Sequence, residues 1–230
     1  MGDYAFAAPP VVALASTSTK PFPVRRIFCV GQNYSAHARE MGSNPEVDPP
    51  FFFTKPADAI VANGASVPYP PGTSDFQHEV ELVVAFSGGG SNIPADKVEE
   101  LIFGYAVGLD MTRRDIQAAA KKKGRPWDMS KAFDFSAPCA AITPKAETGA
   151  LVKGAIACKV NGKLRQSADL SDMTWKVPQI VQFLSALVEI RPGDLIFTGT
   201  PAGVGPVVPG DMIEATIEGL EPLTITITIG

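Results

Sequence analysis

Nowhere in its 230 residues does the chain hold an apolar run near the roughly 20 residues a membrane-crossing helix needs. Its start offers only short apolar patches broken by Pro9 and Pro10, with no basic leader, so neither a signal peptide nor a lipid anchor is expected. Cysteine is scarce: Cys29, Cys139 and Cys158 have no metal-site spacing and cannot all pair, which fits a reducing, cytoplasmic setting better than a disulfide framework. Basic residues are outnumbered, 20 Lys and Arg against 24 Asp and Glu, and the formal charge of -4 argues against a nucleic-acid partner. The only basic cluster, Lys121 to Lys123, reads as a solvated helix face. Gly88-Gly89-Gly90 lacks the Lys-Ser/Thr of a phosphate loop and reads as a turn. Repeats and low-complexity tracts are missing too.

What is present suits one compact domain. The hydrophobic share is 45%, enough for a sizeable core, and the charged share of 19% is too low for global disorder. Residues 1–23 read as an arm rich in Ala, Pro, Ser and Thr, leaving 24–230 as a single catalytic domain. Strand signals recur at Arg26 to Val30, Val80 to Phe86, Ile156 to Val160 before an Asn161-Gly162 hairpin turn, Asp194 to Thr198, Asp211 to Ile217 and Leu223 to Ile229. Helical patterns are few. They cover Asn33 to Met41 with Gly42 as its C-cap, Asp96 to Phe103, Thr112 to Lys123, and Val177 to Leu187 with an apolar stripe of Ile180, Val181, Phe183, Leu184 and Leu187. Many strands, few helices and no βαβ rhythm predict a β-rich α+β domain.

The chemistry concentrates in acids. Glu79 and Glu81, at i and i+2 ahead of an apolar strand, share one face, and their mutual repulsion calls for a compensating cation unless they lie on a solvated edge. Asp110 closes the apolar run Gly104 to Leu109 just before a helix, where it is either a third ligand or an N-cap. Three carboxylates make an all-oxygen site suited to Mg²⁺ or Mn²⁺, with Ca²⁺ possible, rather than zinc. His37 and Glu40, at i and i+3, form either a water-activating pair or an ordinary surface pair. His78, on the opposite strand face, reads as structural. Arg114 and Gln117 continue a helical stripe from Asp110, and with Lys131 they would suit an anionic, carbonyl-bearing substrate. The Thr- and Gly-dense loop Thr198 to Gly205 can offer hydroxyl and N–H groups to a carboxylate.

Seven segments in order resemble the fumarylacetoacetate hydrolase superfamily, in its short acylpyruvate-hydrolase branch. They are CVGQNYSAHAREMG at 29–42, PFFFTKP at 50–56, HEVELVV at 78–84, GYAVGLDMTRRDIQ at 104–117, GRPWDMSKAFD at 124–134, VNGKLRQ at 160–166 and RPGDLIFTGTPAGVGPV at 191–207. The resemblance implies a β-rich roll with short helices, found as a homodimer. It implies Glu79, Glu81 and Asp110 as metal ligands and His37 and Glu40 as a water-activating dyad on a lid. It also implies substrate contacts from Arg114, Gln117, Lys131 and Thr200, with Lys55 in a Lys-Pro motif near the site. One departure stands out: Gln32 occupies a position that is Arg in many acylpyruvases, and it weakens any contact such an Arg makes with a substrate carboxylate, which leaves the exact substrate open.

The expected activity is metal-dependent cleavage of a carbon–carbon bond in a 2,4-dioxo acid such as fumarylpyruvate or maleylpyruvate, giving pyruvate and a carboxylic acid. Decarboxylation of oxaloacetate and isomerisation of a hydroxymuconate-type diacid need the same metal-stabilised enolate. A non-catalytic, calcium-stabilised β-rich module is the alternative of another class.

Overall fold

The computed structural model describes residues 5–18, 20–40 and 49–230. Its core is a pair of stacked sheets. The larger runs, by neighbour, Phe51–Lys55, Arg26–Gly31, Asp194–Phe197, Val80–Phe86, Ile102–Leu109, Ala137–Cys139 and Ile60–Ala62, with Thr143–Pro144 also paired to Ile102–Leu109. The smaller runs Lys163–Asp169, Ala155–Val160, Met212–Ile217, Leu223–Thr228 and Ser66–Pro68. A three-stranded sheet of Thr112–Arg113, Phe76–His78 and Gly205–Pro206 lies beside them. The fold is therefore mostly β with short helices, as the sequence pattern predicts.

Val80–Phe86 shows why its sequence is apolar throughout. Val80, Leu82, Val84 and Phe86 pack towards the smaller sheet, among Ile156, Cys158 and Ile213. Val83 and Ala85 face the other way, against Ile27, Cys29, Leu195, Phe197 and the N-terminal Leu14 and Phe22. A strand covered on both faces keeps no solvent-side alternation. Glu79, Glu81 and Asp110 share the parity of Val83 and Ala106, so they project together at one end of this second face.

The hairpin turn at Asn161-Gly162 forms as expected, with φ of 51° and 74°, the left-handed pair a two-residue turn between twisted strands requires. Val177–Leu187 is helical over the predicted span, but its buried stripe is narrower. Leu187 is exposed at the helix end, and Phe183 turns outward to stack edge-on against Trp175 at 5.2 Å. Two other helices are shorter than their patterns suggest. Ala95–Leu101 is 3₁₀, and Ile102 and Phe103 already belong to the next strand. Thr112–Arg113 is a strand, and the α-helix is Arg114–Lys122, because Thr112 and Arg113 pair with Gln77 and Phe76 instead. The helix expected from Asn33 is seen as Ser35–Glu40; its predicted end at Met41 and Gly42 lies outside the described residues. No helix among the described residues is long and apolar enough to cross a membrane.

Candidate metal centre and active site

Glu79 falls in the gap between Phe76–His78 and Val80–Phe86, where the chain leaves one sheet for another. Glu81 lies one register step inside the second strand, opposite Gly108, and Asp110 follows the end of Ile102–Leu109. One oxygen from each carboxylate lies within 4.8 Å of the others. The three residues are 4%, 1% and 0% exposed, so the solvated-edge alternative for Glu79 and Glu81 fails. Gly108 keeps this corner open. A Cβ there would meet Val83 Cγ2 at 2.5 Å and the Phe197 ring at 2.7 Å.

Asp110 is not a helix cap. The helix begins four residues later, with Arg113 at its N-cap position, so the Asp110–Arg114–Gln117 stripe is broken before it starts. Its carboxylate is instead flanked by two ammonium groups, Lys131 Nζ at 2.7 Å from Oδ2 and Lys55 Nζ at 2.9 Å from Oδ1. Lys55 is near Oδ1 without aiming at it. Two of its three protons go to the carbonyls of Met111, at 3.1 Å, and Lys131, so the buried Oδ1 is met by the charge of Lys55 without a well-aimed hydrogen bond. A carboxylate oxygen without a well-aimed donor in an all-oxygen cluster fits a hard divalent cation.

The basic residues in and around the cavity are tied to these acids. Lys131 Nζ donates to Glu79 Oε2, Asp110 Oδ2 and Thr112 Oγ1, each at 2.7 Å. Arg114 donates to Glu79 Oε1, to Gln77 at 2.9 Å and to Gln117 Oε1 at 2.6 Å. Burial opposes ionisation of Glu79, but Lys131 and Arg114 outweigh it and hold its carboxyl below the usual range. Among the described residues no cation forms an ion pair with Glu81, and Lys131 acts on it only from a distance. Burial, reinforced by the Asp110 and Glu79 charges, pushes its carboxyl well up, although the Gly199 N–H donates to Oε2 at 2.8 Å. Burial works against the charged form of Lys131, but the Asp110 and Glu79 carboxylates raise its ammonium above the ordinary value.

A small cavity opens beside the triad, lined by all three acids with Arg114, Gln117, Lys131, Thr200, His37, Gln32, Phe53 and Trp127 among others. His37 is 4% exposed, and its Nδ1 lies 3.0 Å from Glu40 Oε2. His37 therefore faces inward, while Glu40 holds it from the exposed side of the helix. Gln32 stands on a left-handed backbone, φ 57°, and is half-buried. Lys55, expected near substrate, is not a lining residue and lies behind Asp110. The fold thus gathers nine of the ten residues singled out by sequence around one cavity, counting Glu40 through its bond to His37.

Residues 26–228 match the family described as the fumarylacetoacetate hydrolase C-terminal domain. The chain belongs to that family. A fumarylpyruvate hydrolase of Ralstonia is 46% identical over 182 residues, covering 79% of this chain and 94% of that protein. A mitochondrial oxaloacetate tautomerase of Homo sapiens is 40% identical over 203 residues, covering 88% and 91%. Among solved structures, the fumarylpyruvate hydrolase of Pseudomonas aeruginosa in complex with Mn²⁺ and pyruvate superposes with a TM-score of 0.97 at 46% identity, covering 99% of this chain and 100% of that one.

Several polar residues not singled out in the sequence also shape the site. Asn33 Nδ2 donates to the carbonyls of Trp175 and Thr198, and its Oδ1 accepts from Trp175 N–H. This joins the loop before the His37 helix to the loop after Asp194–Phe197. Gly199, φ 95°, makes room for that contact, since a Cβ would lie 2.6 Å from Asn33 Cβ. Gln77 and Thr112 orient Arg114 and Lys131. Their only signal in the sequence is a polar residue at a paired strand position, half-buried for Gln77 and buried for Thr112.

Proposed function

We propose that the protein is a divalent-metal-dependent acylpyruvate hydrolase, with Glu79, Glu81 and Asp110 as the ligands of Mg²⁺ or Mn²⁺. The observation that carries this reading is the buried three-carboxylate cluster in one cavity with His37, which Glu40 holds from outside. Bound there, the cation polarises the oxygens of the 2-oxo acid and stabilises the enolate charge that cleavage releases.

The remaining work falls to side chains. Glu40 favours the His37 tautomer with its proton on Nδ1, leaving Nε2 to take a proton from water. The hydroxide attacks the C4 carbonyl, the C3–C4 bond breaks with its electrons passing to C3, and a proton delivered to C3 completes pyruvate. The C4 half leaves as a carboxylic acid. Lys131 stabilises the developing anion, while Arg114 and Gln117 orient the substrate. Lys55 holds Asp110 from behind, a positioning role in place of the expected substrate contact. Thr200 spends its hydroxyl on Val80 O and Gln166, so its service to substrate is to shape the wall. Residues 24–230 form the catalytic domain, 1–23 an arm, and the protein works as a cytoplasmic homodimer.

Fumarylpyruvate is the first substrate to try, because the relatives of Ralstonia and Pseudomonas aeruginosa carry that activity in their names. Product analysis tests the reaction type. Hydrolysis gives fumarate and pyruvate in equal amounts; carbon dioxide from oxaloacetate, or rearrangement without fragmentation, would replace the proposal with a related chemistry at this site. The human oxaloacetate tautomerase makes enol–keto interconversion the second reading, since it uses the enolate without the water.

The two readings separate at His37. His37→Gln is expected to lower kcat for hydrolysis by about 10²- to 10⁴-fold, the usual contribution of a general base, while Mn²⁺ affinity stays within a few-fold of wild type. Equal loss of metal binding would place His37 in the metal centre instead.

A further inference from the structure

Gln166 lies on the smaller sheet, on Lys163–Asp169, and is completely buried. Its carboxamide reaches the start of Val80–Phe86, where regular sheet pairing runs out. One edge of that strand is served throughout by Ile102–Leu109, with Val80 opposite Leu109 and Glu81 opposite Gly108. The other edge meets Asp194–Phe197 only from Val83 onward. Among the described residues, no strand pairs with Val80 to Leu82, the stretch containing Glu81, on that side.

Side chains take the missing strand's place. Gln166 Oε1 accepts from Val80 N–H at 3.1 Å and from His78 Nδ1 at 3.0 Å. Gln166 Nε2 donates to Thr200 Oγ1 and to Pro201 O, both at 2.8 Å. Thr200 Oγ1 in turn donates to Val80 O at 2.8 Å, and the Thr198 N–H and hydroxyl both donate to Leu82 O. Val80 N–H belongs to the peptide joining it to Glu79; Val80 C=O belongs to the peptide joining it to Glu81. Both peptide groups between the two glutamates are thus pinned by the Gln166–Thr200 pair.

We propose that Gln166 is a positioning residue for the carboxylate triad, fixing the orientation of Glu79 relative to Glu81 through the two peptides that connect them. The inference rests on those residues being metal ligands. Only an amide of this length meets the site's demands, two donors facing Thr200 and Pro201 and an acceptor facing His78 and Val80. Glu lacks the donors, Met lacks both functions, and Asn is too short. The loop itself is pressed onto Gln166's strand at Gly203, where a Cβ would meet Arg165 O at 2.2 Å. Partners one step removed from a metal typically change its affinity by about 10- to 100-fold when lost.

The test is titration of the metal-free protein with Mn²⁺, read by the electron paramagnetic resonance of the free aquo ion, with the melting temperature of each metal-free variant measured in parallel. Gln166→Met and Gln166→Glu are expected to weaken Mn²⁺ binding about 10- to 100-fold, and Thr200→Val to weaken it by a smaller factor. Ser185→Ala, which removes a buried hydrogen bond to Ile93 N–H on the Val177–Leu187 helix, supplies the control: its melting temperature falls and its Mn²⁺ affinity does not. Thr200→Val, the mildest change, keeps the test in force if neither Gln166 variant folds. Mn²⁺ affinity within twofold of wild type in every variant that folds, whatever the melting temperatures, overturns the proposal. Failure of the wild type to bind Mn²⁺ overturns both it and the metal-site reading.

Discussion

Glu81→Gln is expected to abolish turnover, by about 10³-fold or more, together with Mn²⁺ binding. Among the described residues, Glu81 is the one acid of the triad without an ion-pair partner. Lys131 and Arg114 compensate Glu79, Lys131 and Lys55 flank Asp110, and Glu81 receives only the Gly199 N–H. A neutral amide suits that place in the metal-free protein, since burial and the Asp110 and Glu79 charges already disfavour the ionised form of the carboxyl it replaces. The substitution should therefore leave the metal-free melting temperature unchanged or slightly raised while removing the site. Activity without metal binding, or an unfolded variant, would show that Glu81 has another role.

The same raised carboxyl gives a pH dependence with a definite sign. Metal binding requires the ionised form, so a cation entering while Glu81 is protonated expels that proton. Mn²⁺ affinity should rise with pH until Glu81 ionises on its own and level off above. Calorimetry in two buffers of different ionisation enthalpy measures the proton release directly; identical heats in both, with flat affinity, would contradict the shift.

The second large effect is expected at Lys131. Its ammonium bridges Glu79 and Asp110 in a fully buried position. Breaking a buried pair costs about 3–5 kcal/mol because the remaining charge has no solvent to turn to. Lys131→Met should accordingly lower the melting temperature of the metal-free protein by about 6–20 °C. Glu79 then keeps only Arg114 and Asp110 only Lys55, so Mn²⁺ meets two carboxylates that have each lost one of their two cations and no longer competes with the ammonium that bridged them. Its stabilisation of the variant should exceed its stabilisation of wild type, even though turnover falls for want of the group that steadies the enolate. A metal-free variant as stable as wild type, with an equal Mn²⁺ increment, would show that the lysine is not balancing the acids.

Much of this site was legible in the sequence because its acids are costly to bury. Glu79, Glu81 and Asp110 sit beside long apolar runs, and an acid at the end of a buried strand is conspicuous. The strands Val80 to Phe86 and Leu223 to Thr228 and the Asn161-Gly162 turn were readable from local pattern alone. What was not readable depends on contacts distant in the chain. Thr112 and Arg113 have helical neighbours, yet pairing with Phe76 and Gln77 draws them into a strand. This removes Asp110 from the helical frame that suggested a cap. Lys55 looked like a substrate contact until its ammonium was seen to serve the carbonyls of Met111 and Lys131 behind Asp110. Gln166 gave the faintest signal, one polar residue at a buried strand position inside a quoted motif. Its four partners come from residues 78, 80, 200 and 201, and no local pattern could bring them together.

The central claim is that this triad makes the chain a metal-dependent acylpyruvate hydrolase. It is tested most directly by following the ultraviolet absorbance of fumarylpyruvate with metal-stripped protein, then adding Mn²⁺, then excess EDTA, while pyruvate is assayed throughout. The account predicts no loss before Mn²⁺, loss with one pyruvate per substrate after it, and arrest on chelation. Undiminished cleavage by the stripped protein in EDTA, or substrate loss without pyruvate, would contradict it.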